Sequence, residues 1–395
     1  MNSSRSNFYV SPGNYLGLLG GGQLGRMFCH SAQSLGYKVV VLDPDPDCPS
    51  GMVADYHIAA SYNDVNALEK LSKLCRSVTI EFENIPCNSL EILSKDCIVT
   101  PSAHAVSVAQ NRIKEKEFIQ SQGVEVAPYK SIYNEKDITE NMEYLLPGII
   151  KVSKMGYDGK GQAIVSSLDE AREIYYKFGE VPCILEKNLS INYEASVVLA
   201  RDFSGNSVFF PISINIHNKG ILSSSFVRKD IDSSIYSHEK ERMIRKAKKI
   251  ADSLNYHGVL CVEFFVLNNN TIIVNEIAPR PHNSGHYTID ACFESQFDQQ
   301  VRVMTGLPLG STELLTSALM LNILGDSWFD TDSGVLREPN WHDILSLSGV
   351  KLHLYGKKEA RPLRKMGHLT VLGDNINLLE DKARIVATKL DLSFW

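Results

Sequence analysis

Short apolar runs alternate with amphipathic stretches at the start of the chain: Tyr15 to Leu19, then Leu24 to Leu35, then Lys38 to Leu42, with further apolar runs at Val78 to Phe82 and Ile98 to Val99. Strand-like and helix-like periodicities in turn predict a parallel sheet flanked by helices. From about Ile149 the rhythm changes to strands joined by Gly-rich or Asn-rich turns, at Ile149 to Val152, Gln162 to Val165, Cys183 to Glu186, Ala195 to Ala200 and Val208 to Ile214. That pattern predicts antiparallel α+β structure. A Lys- and Arg-rich helix over about Glu239 to Leu254 leads into a hairpin, and a smaller strand-rich tail follows about Gly310. There is no internal repeat and no low-complexity tract.

At 395 residues the chain is too long for one ordinary core, so two or three domains are expected. A composition 44% hydrophobic and 22% charged fits a globular protein and excludes a disordered one. No apolar run reaches the roughly 18 residues of a membrane span. The stretch before Tyr15 is polar and lacks the apolar centre of a signal peptide, so the expected compartment is the cytoplasm. The net charge of -6, with both signs interspersed, argues against a nucleic-acid partner, which needs a concentrated basic face. The basic run Arg242 to Lys249 reads as a solvated helix face. The eight cysteines are far apart, with no C-x-x-C pair, and are expected to be reduced thiols.

Four segments carry candidate chemistry. Gly20, Gly22 and Gly25 fit G-x-G-x-x-G between a strand and a helix, and Asp43 closes the next strand where a ribose-binding acid would lie. Such a loop serves dinucleotide enzymes, and also many α/β domains that never meet NAD. The segment Lys151 to Gln162 places a basic strand before a turn containing Gly156, Gly159 and Gly161. Its amides and Lys160 would fold over a triphosphate, although the segment lacks the ending of a Walker loop, and a plain connecting hairpin is the alternative.

Between Val259 and Arg280 two strands flank Asn268, Asn269 and Asn270. A turn centred between Asn269 and Asn270 pairs Glu263 with Glu276 across the ladder, about 5 Å apart at Cβ, which destabilises a sheet unless a cation lies between them. Magnesium suits the place, since it takes one or two carboxylates plus substrate phosphates; a register slipped by one residue would instead turn one Glu to solvent. The following loop, Glu276 to His286, is dense in donors: Arg280 can clamp an anion through its planar fork, and Asn283 and Ser284 can donate to its oxygens. His282 and His286 are spaced as zinc ligands are, but Pro279, Pro281 and Gly285 oppose the helix that would aim both rings together.

Together these residues resemble the ATP-grasp carboxylate-amine ligases and, within them, the N5-carboxyaminoimidazole ribonucleotide synthase family. The resemblance is carried, in order, by Gly20 to Met27, Glu81 to Ile85, Gly156 to Gln162, Asn275-Glu276 with Ala278 to Arg280, His282 to His286, Tyr355 to Lys357 and Arg364 to His368, which span nearly the whole chain. It implies α/β and α+β structure: an N-terminal parallel-sheet domain over residues 1–120, a two-lobed ATP-grasp domain over 121–310 with a lid lobe over about 121–190, and a small β-rich domain over 311–395 that completes the substrate site. It also implies an enzyme that joins ATP, bicarbonate and 5-aminoimidazole ribonucleotide and releases ADP and phosphate by way of carboxyphosphate. The metal would be Mg2+, with Mn2+ as the alternative, and the assembly a homodimer.

Residue by residue, the resemblance makes Arg112, Lys151, His217 and Asn275 nucleotide contacts, and Gly156, Tyr157, Asp158, Gly159, Lys160, Gly161 and Gln162 the lid over the phosphates. Glu186, Lys187, Asn188 and Leu189 form the adenine-reading hinge, and Glu194 accepts from the ribose. Glu263 and Glu276 are the magnesium ligands, and Arg280, Lys160 and Asn283 the catalytic group. Gln23, Leu24, Glu83, Tyr157, Asp158, Lys160, Arg280, Lys357 and Arg364 take the ribonucleotide, the last two its 5′-phosphate. Two positions depart from the family pattern: Leu363 stands where glycine is expected, and Lys187 where glutamine often follows the hinge glutamate. The extension before Tyr15 has no counterpart in the pattern. Rival readings are another ATP-grasp ligase, such as a formate-using glycinamide ribonucleotide transformylase or a biotin carboxylase, an NAD-linked oxidoreductase built on the first glycine loop, and a nucleotide-binding regulator without turnover.

Overall fold

The computed structural model of the chain describes residues 8–156, 161–229, 234–330 and 333–392. Its first sheet is parallel and five-stranded, in the order Tyr56–Ile58, Lys38–Leu42, Tyr15–Leu19, Cys75–Ile80, Ile98–Val99. Leu16, Leu18 and Leu19, like Val39 to Leu42, are buried, as expected of parallel strands covered on both faces. The chain moves to one side of Tyr15–Leu19 and then returns to its other side with Cys75–Ile80. The crevice at the carboxyl ends of these two strands is therefore a topological switch point, where such sheets take ligands.

A four-stranded antiparallel sheet follows, in the order Tyr129–Ile132, Cys183–Lys187, Gly148–Val152, Gln162–Val165. Its core is Ile132, Leu145, Ile150, Val165, Tyr175 and Leu185. The largest sheet has nine strands. Its path runs Ile272–Ala278, Gly258–Leu267, Ile191–Arg201, Ser213–Asn218, Ile221–Val227, Ala318–Leu324, Lys365–Leu372 and Val350–Leu354, with Ser207–Phe209 beside Ile191–Arg201. Helix Ser234–Ser253 packs on it through Met243, Ala247, Ile250 and Ala251, a stripe at helical spacing that meets Leu260, Val262 and Phe264. Each such fully buried large side chain contributes about 1.5–3 kcal/mol.

The single strand expected over Val208 to Ile214 is in fact two, Ser207–Phe209 and Ser213–Asn218. Pro211 lies between them and has no N–H for a ladder. The tail is more than strands: helix Ile376–Lys389, capped by Asn375, buries Leu379, Ala383, Val386 and Ala387 against Leu319 and Leu369. Part of the N-terminal extension is tied down. Val10 N–H donates to Thr305 O at 2.9 Å, Tyr37 Oη donates to Val10 O at 2.8 Å, and the Phe8 ring meets Phe203 edge-on at 5.1 Å.

Candidate active site

The two carboxylates of the hairpin come together by a route the sequence did not reveal. The turn is a three-residue loop, closed by Leu267 N–H to Thr271 O at 2.9 Å, with Asn270 left-handed at φ 61°. Left alone, that loop would set Glu263 opposite Asn275. A β-bulge intervenes: Phe264 pairs with Val274, but Val262 pairs with Ile277, so Asn275 and Glu276 together oppose Glu263. The bulge thus restores the Glu263–Glu276 apposition and adds Asn275, whose amide lies 3.5 Å from Glu263 Oε2. Burial first, and the Glu276 charge second, push the Glu263 carboxyl up to about 7. Two facing carboxylates at a bulge beside a half-buried amide fit a hard dication, and these two residues would hold it. Among the described residues no group of three or more His, Cys, Asp or Glu side chains is placed to hold a metal.

Around this pair lies a ring of charge. Glu194 and His217 stand on the same sheet face as Glu263, and His217 Nδ1 is 2.8 Å from Glu194 Oε2. Arg112 donates to Glu276 Oε2 at 3.0 Å. On the four-stranded sheet, Lys151 Nζ lies 2.7 Å from Glu186 Oε2, and Lys116 Nζ, from helix Arg112–Ser121, lies 2.9 Å from Glu186 Oε1. Burial alone would raise the Glu186 carboxyl, but the two ammonium groups, Lys116 first, hold it at about 2. The hinge that follows is fixed by its backbone: Lys187 N–H donates to Pro128 O at 2.9 Å and Asn188 N–H to Pro147 O at 3.0 Å, and Leu189 comes next in the chain.

Of the lid, Gly156, Gly161 and Gln162 belong to the structure, whereas Tyr157, Asp158, Gly159 and Lys160 lie outside the described residues. Gly161 sits at φ 71°, and a Cβ there would come within 2.6 Å of Val152 Cγ2. Gly161→Ala is therefore expected to lower turnover at saturating ATP by roughly threefold to tenfold if the segment must close over phosphates. Steady-state rates equal to those of the wild type would reduce it to a connecting turn.

The glycine loop after Tyr15–Leu19 is already filled. The Glu81 carboxylate accepts from Gly22 N–H and, at 3.0 Å, from Leu24 N–H, so the amides that a dinucleotide pyrophosphate would need are taken from within. Asp43, the candidate ribose acid, instead accepts from Tyr62 Oη at 2.5 Å and Asp45 N–H at 2.8 Å. Gln23 begins the helix Gln23–Ser34, and Leu24 is buried beside it. Glu83 is held by Arg280, Nε to Oε2 at 2.6 Å, and the guanidinium overcomes the upward pull of burial to keep this carboxyl low.

The loop after Arg280 joins this crevice to the carboxylate pair. His282 Nε2 lies 3.3 Å from Glu263 Oε1, and burial holds the ring neutral. His286 goes elsewhere: its ring meets that of His368 at a tilt of 31° with centroids 4.7 Å apart, and its Nδ1 lies 3.2 Å from Gln296 Nε2, so the two histidines of the zinc-like spacing serve separate contacts. Both polar atoms of the Asn283 amide are out of solvent and have no hydrogen-bond partner among the described residues. A buried amide in that state is costly unless a ligand completes it.

In the tail, Lys357 Nζ donates to Lys365 O at 2.6 Å and Arg364 donates to Glu359 O at 2.8 Å. Arg26, one turn along the helix from Gln23, approaches the same loop, its guanidinium 3.2 Å from where a Cβ on Gly356 would lie. Leu363 resolves the departure noted in the sequence: it adopts φ 65°, so the path that glycine takes freely is kept by a side chain that resists it. Leu363→Gly should therefore stabilise the protein by about 1 kcal/mol, read as a higher Tm. An unchanged or lower Tm would mean that the leucine side chain contributes more than its backbone costs.

Arg26, Glu81, Glu115 and Lys116 were not assigned from sequence. Arg112, Glu115 and Lys116 occupy one face of helix Arg112–Ser121 at i, i+3 and i+4 spacing, and Glu115 Oε1 accepts from Ile277 N–H at 2.6 Å. Charged residues at core-facing helical spacing, next to Ile113 and Ile119, were the signal available.

A two-lobed cleft that sets buried lysines and a hinge glutamate opposite paired carboxylates defines the ATP-grasp class of ligases, and residues 117–297 match the ATP-grasp domain model. Residues 14–110 match the ribonucleotide synthetase preATP-grasp domain, and residues 318–382 the phosphoribosylaminoimidazole carboxylase C-terminal domain. The chain is 40% identical over 366 residues to an N5-carboxyaminoimidazole ribonucleotide synthase of Bacillus subtilis, covering 92% of each chain. The crystal structure of an ADP complex of an N5-carboxyaminoimidazole ribonucleotide synthetase is similar at TM-score 0.89 and 40% identity, over 98% of this chain and 99% of that one. An Aspergillus clavatus N5-carboxyaminoimidazole synthase in complex with ADP and 5-aminoimidazole ribonucleotide is similar at TM-score 0.84 and 29% identity, over 96% of this chain and 98% of that one. The chain belongs to the N5-carboxyaminoimidazole ribonucleotide synthase family.

Proposed function

We infer that the chain is a ligase that uses ATP to carboxylate 5-aminoimidazole ribonucleotide with bicarbonate, giving N5-carboxyaminoimidazole ribonucleotide, ADP and phosphate in purine biosynthesis. The observation that carries this reading is the likeness, over nearly the whole chain, to a synthase holding ADP and 5-aminoimidazole ribonucleotide. ADP formation that requires both bicarbonate and the ribonucleotide is its test; release of ADP without either would favour another ATP-grasp ligase. An NAD-linked activity is disfavoured by Glu81, which occupies the amides that a pyrophosphate would use.

In this reading Lys151, Arg112, His217 and Asn275 contact the nucleotide, Glu186, Lys187, Asn188 and Leu189 read adenine, and Glu194 takes the ribose. Glu263 and Glu276 would hold Mg2+, or Mn2+ in its place, and such an ion would neutralise charge on the phosphates. Phosphoryl transfer to bicarbonate gives carboxyphosphate, which asks for positioning and positive charge more than for a protein nucleophile. Arg280 supplies that charge, and Lys160 and Asn283 complete the catalytic group. The Asn283 amide, without a hydrogen-bond partner among the described residues, supports this assignment. Closure of residues 156–162 keeps water from the labile intermediate.

Gln23, Leu24, Glu83, Tyr157 and Asp158 are assigned to the ribonucleotide, and Lys357 and Arg364 to its phosphate. The working division is 1–120, 121–310 and 311–395. A homodimer in the cytoplasm completes the proposal, and light scattering on the purified chain tests the assembly. Among the described residues no helix is long and apolar enough to cross a membrane.

A further inference from the structure

Two ammonium groups bracket the buried Glu186 carboxylate, and their situations differ. Lys116 projects from helix Arg112–Ser121 with its side chain 2% exposed. Besides Glu186 Oε1 at 2.9 Å, its Nζ has Asn275 O at 3.5 Å and the Tyr129 ring centroid at 5.9 Å. Lys151 is more open, at 10%, and sits near the end of the strand Gly148–Val152. Among the described residues Glu186 is its one ion-pair partner. One lysine would suffice for a structural pair. The second leaves the buried trio one positive charge in excess, a cost that an arriving anion offsets.

We propose that Lys116 is a positioning residue, a resident counter-ion that keeps Glu186 compensated while Lys151 turns from it to a nucleotide phosphate. The proposal rests on the nucleotide reading given above. A carboxylate this deeply buried resists losing its last partner, because that leaves an unpaired charge in the interior. With Lys116 in place, Lys151 is released at little cost. Without it, Lys151 is tied to Glu186 and the phosphates lose a cation. Lys116 thus sets the affinity for the phosphates without touching the nucleotide.

The test compares ADP with adenosine, which lacks the phosphates, by calorimetric titration of the full chain. The quantity read is the ratio of the two dissociation constants, adenosine over ADP. Lys116→Met should lower that ratio roughly tenfold or more, since tethering Lys151 penalises ADP alone. Lys116→Arg should keep it near the wild-type value, and Lys116→Met combined with Glu186→Gln should restore it, because no carboxylate then holds Lys151.

Equal weakening of both ligands by Lys116→Met, or failure of the double variant to recover the ratio, would overturn the proposal in favour of a purely structural role. If Lys116→Met does not fold, the comparison moves to the Glu186→Gln background. There, adding Lys116→Met should leave the ratio unchanged, and a fall would mean that Lys116 itself touches the phosphates, which also overturns the proposal. Absence of ADP binding to the wild-type chain is a different result and would remove the nucleotide reading itself.

Discussion

Replacing Glu276 with Gln is expected to cut bicarbonate- and ribonucleotide-dependent ADP release by roughly a thousandfold, since a metal's charge stabilisation is worth several kcal/mol and each tenfold in rate is about 1.4 kcal/mol. The reason lies in the bulge: Glu276 and Asn275 together face Glu263, and removing one carboxylate leaves a dication a single charged ligand. The same variant should change the metal-free protein's Tm little, because two effects oppose. Arg112 loses its 3.0 Å partner, while Glu263 is relieved of a neighbouring charge that helps push its carboxyl up to about 7. Initial rates and a thermal melt on the same preparation decide the matter. Retained activity would sink the metal assignment, and a large fall in Tm would make Glu276 a structural residue.

Arg364→Ala is expected to raise the KM for 5-aminoimidazole ribonucleotide by roughly tenfold to a hundredfold, the loss of one charge-assisted contact worth about 1.5–3 kcal/mol, while the KM for ATP stays nearly constant. The separation follows from the fold. Arg364 stands just before the strand Lys365–Leu372, which is linked to the strands carrying Glu194 and Glu263 through Ala318–Leu324, Ile221–Val227 and Ser213–Asn218. Its guanidinium is held by the Glu359 carbonyl, well away in the sheet order from Glu194 and Glu263. Measuring both Michaelis constants is the check. Equal weakening of both substrates, or of neither, would remove the reason for placing the ribonucleotide phosphate at this loop.

Much of the architecture was legible because it is written in local pattern. Alternating strand and helix periods in the first hundred residues mark a parallel sheet, and the glycine and asparagine turns beyond Ile149 mark antiparallel hairpins. The hairpin carboxylates meet as an even turn would have them, but by a different route. The three-residue loop shifts the register by one from that of an even turn, and the bulge at Glu263 shifts it back. Turn length and bulges follow from backbone energies that many Asn-rich sequences satisfy alike, so spacing alone could not reveal them.

Local interactions, then, were determined by the sequence itself: where strands and helices begin, which turns need glycine, which segments carry anion-binding donors, and, through the ordered motifs, the family. Tertiary structure decided which of these groups meet. The Glu81 plug of the glycine loop joins residues 59 apart, and the Arg280–Glu83 clamp joins residues 197 apart. Lys116 becomes part of the site because helix Arg112–Ser121 packs over the strand Ile272–Ala278, which turns a charged face toward the cleft rather than toward solvent. Such encounters depend on how three sheets pack against one another, and the cost of burying a charge, which forces each one to find a partner, arises only once that packing has excluded water.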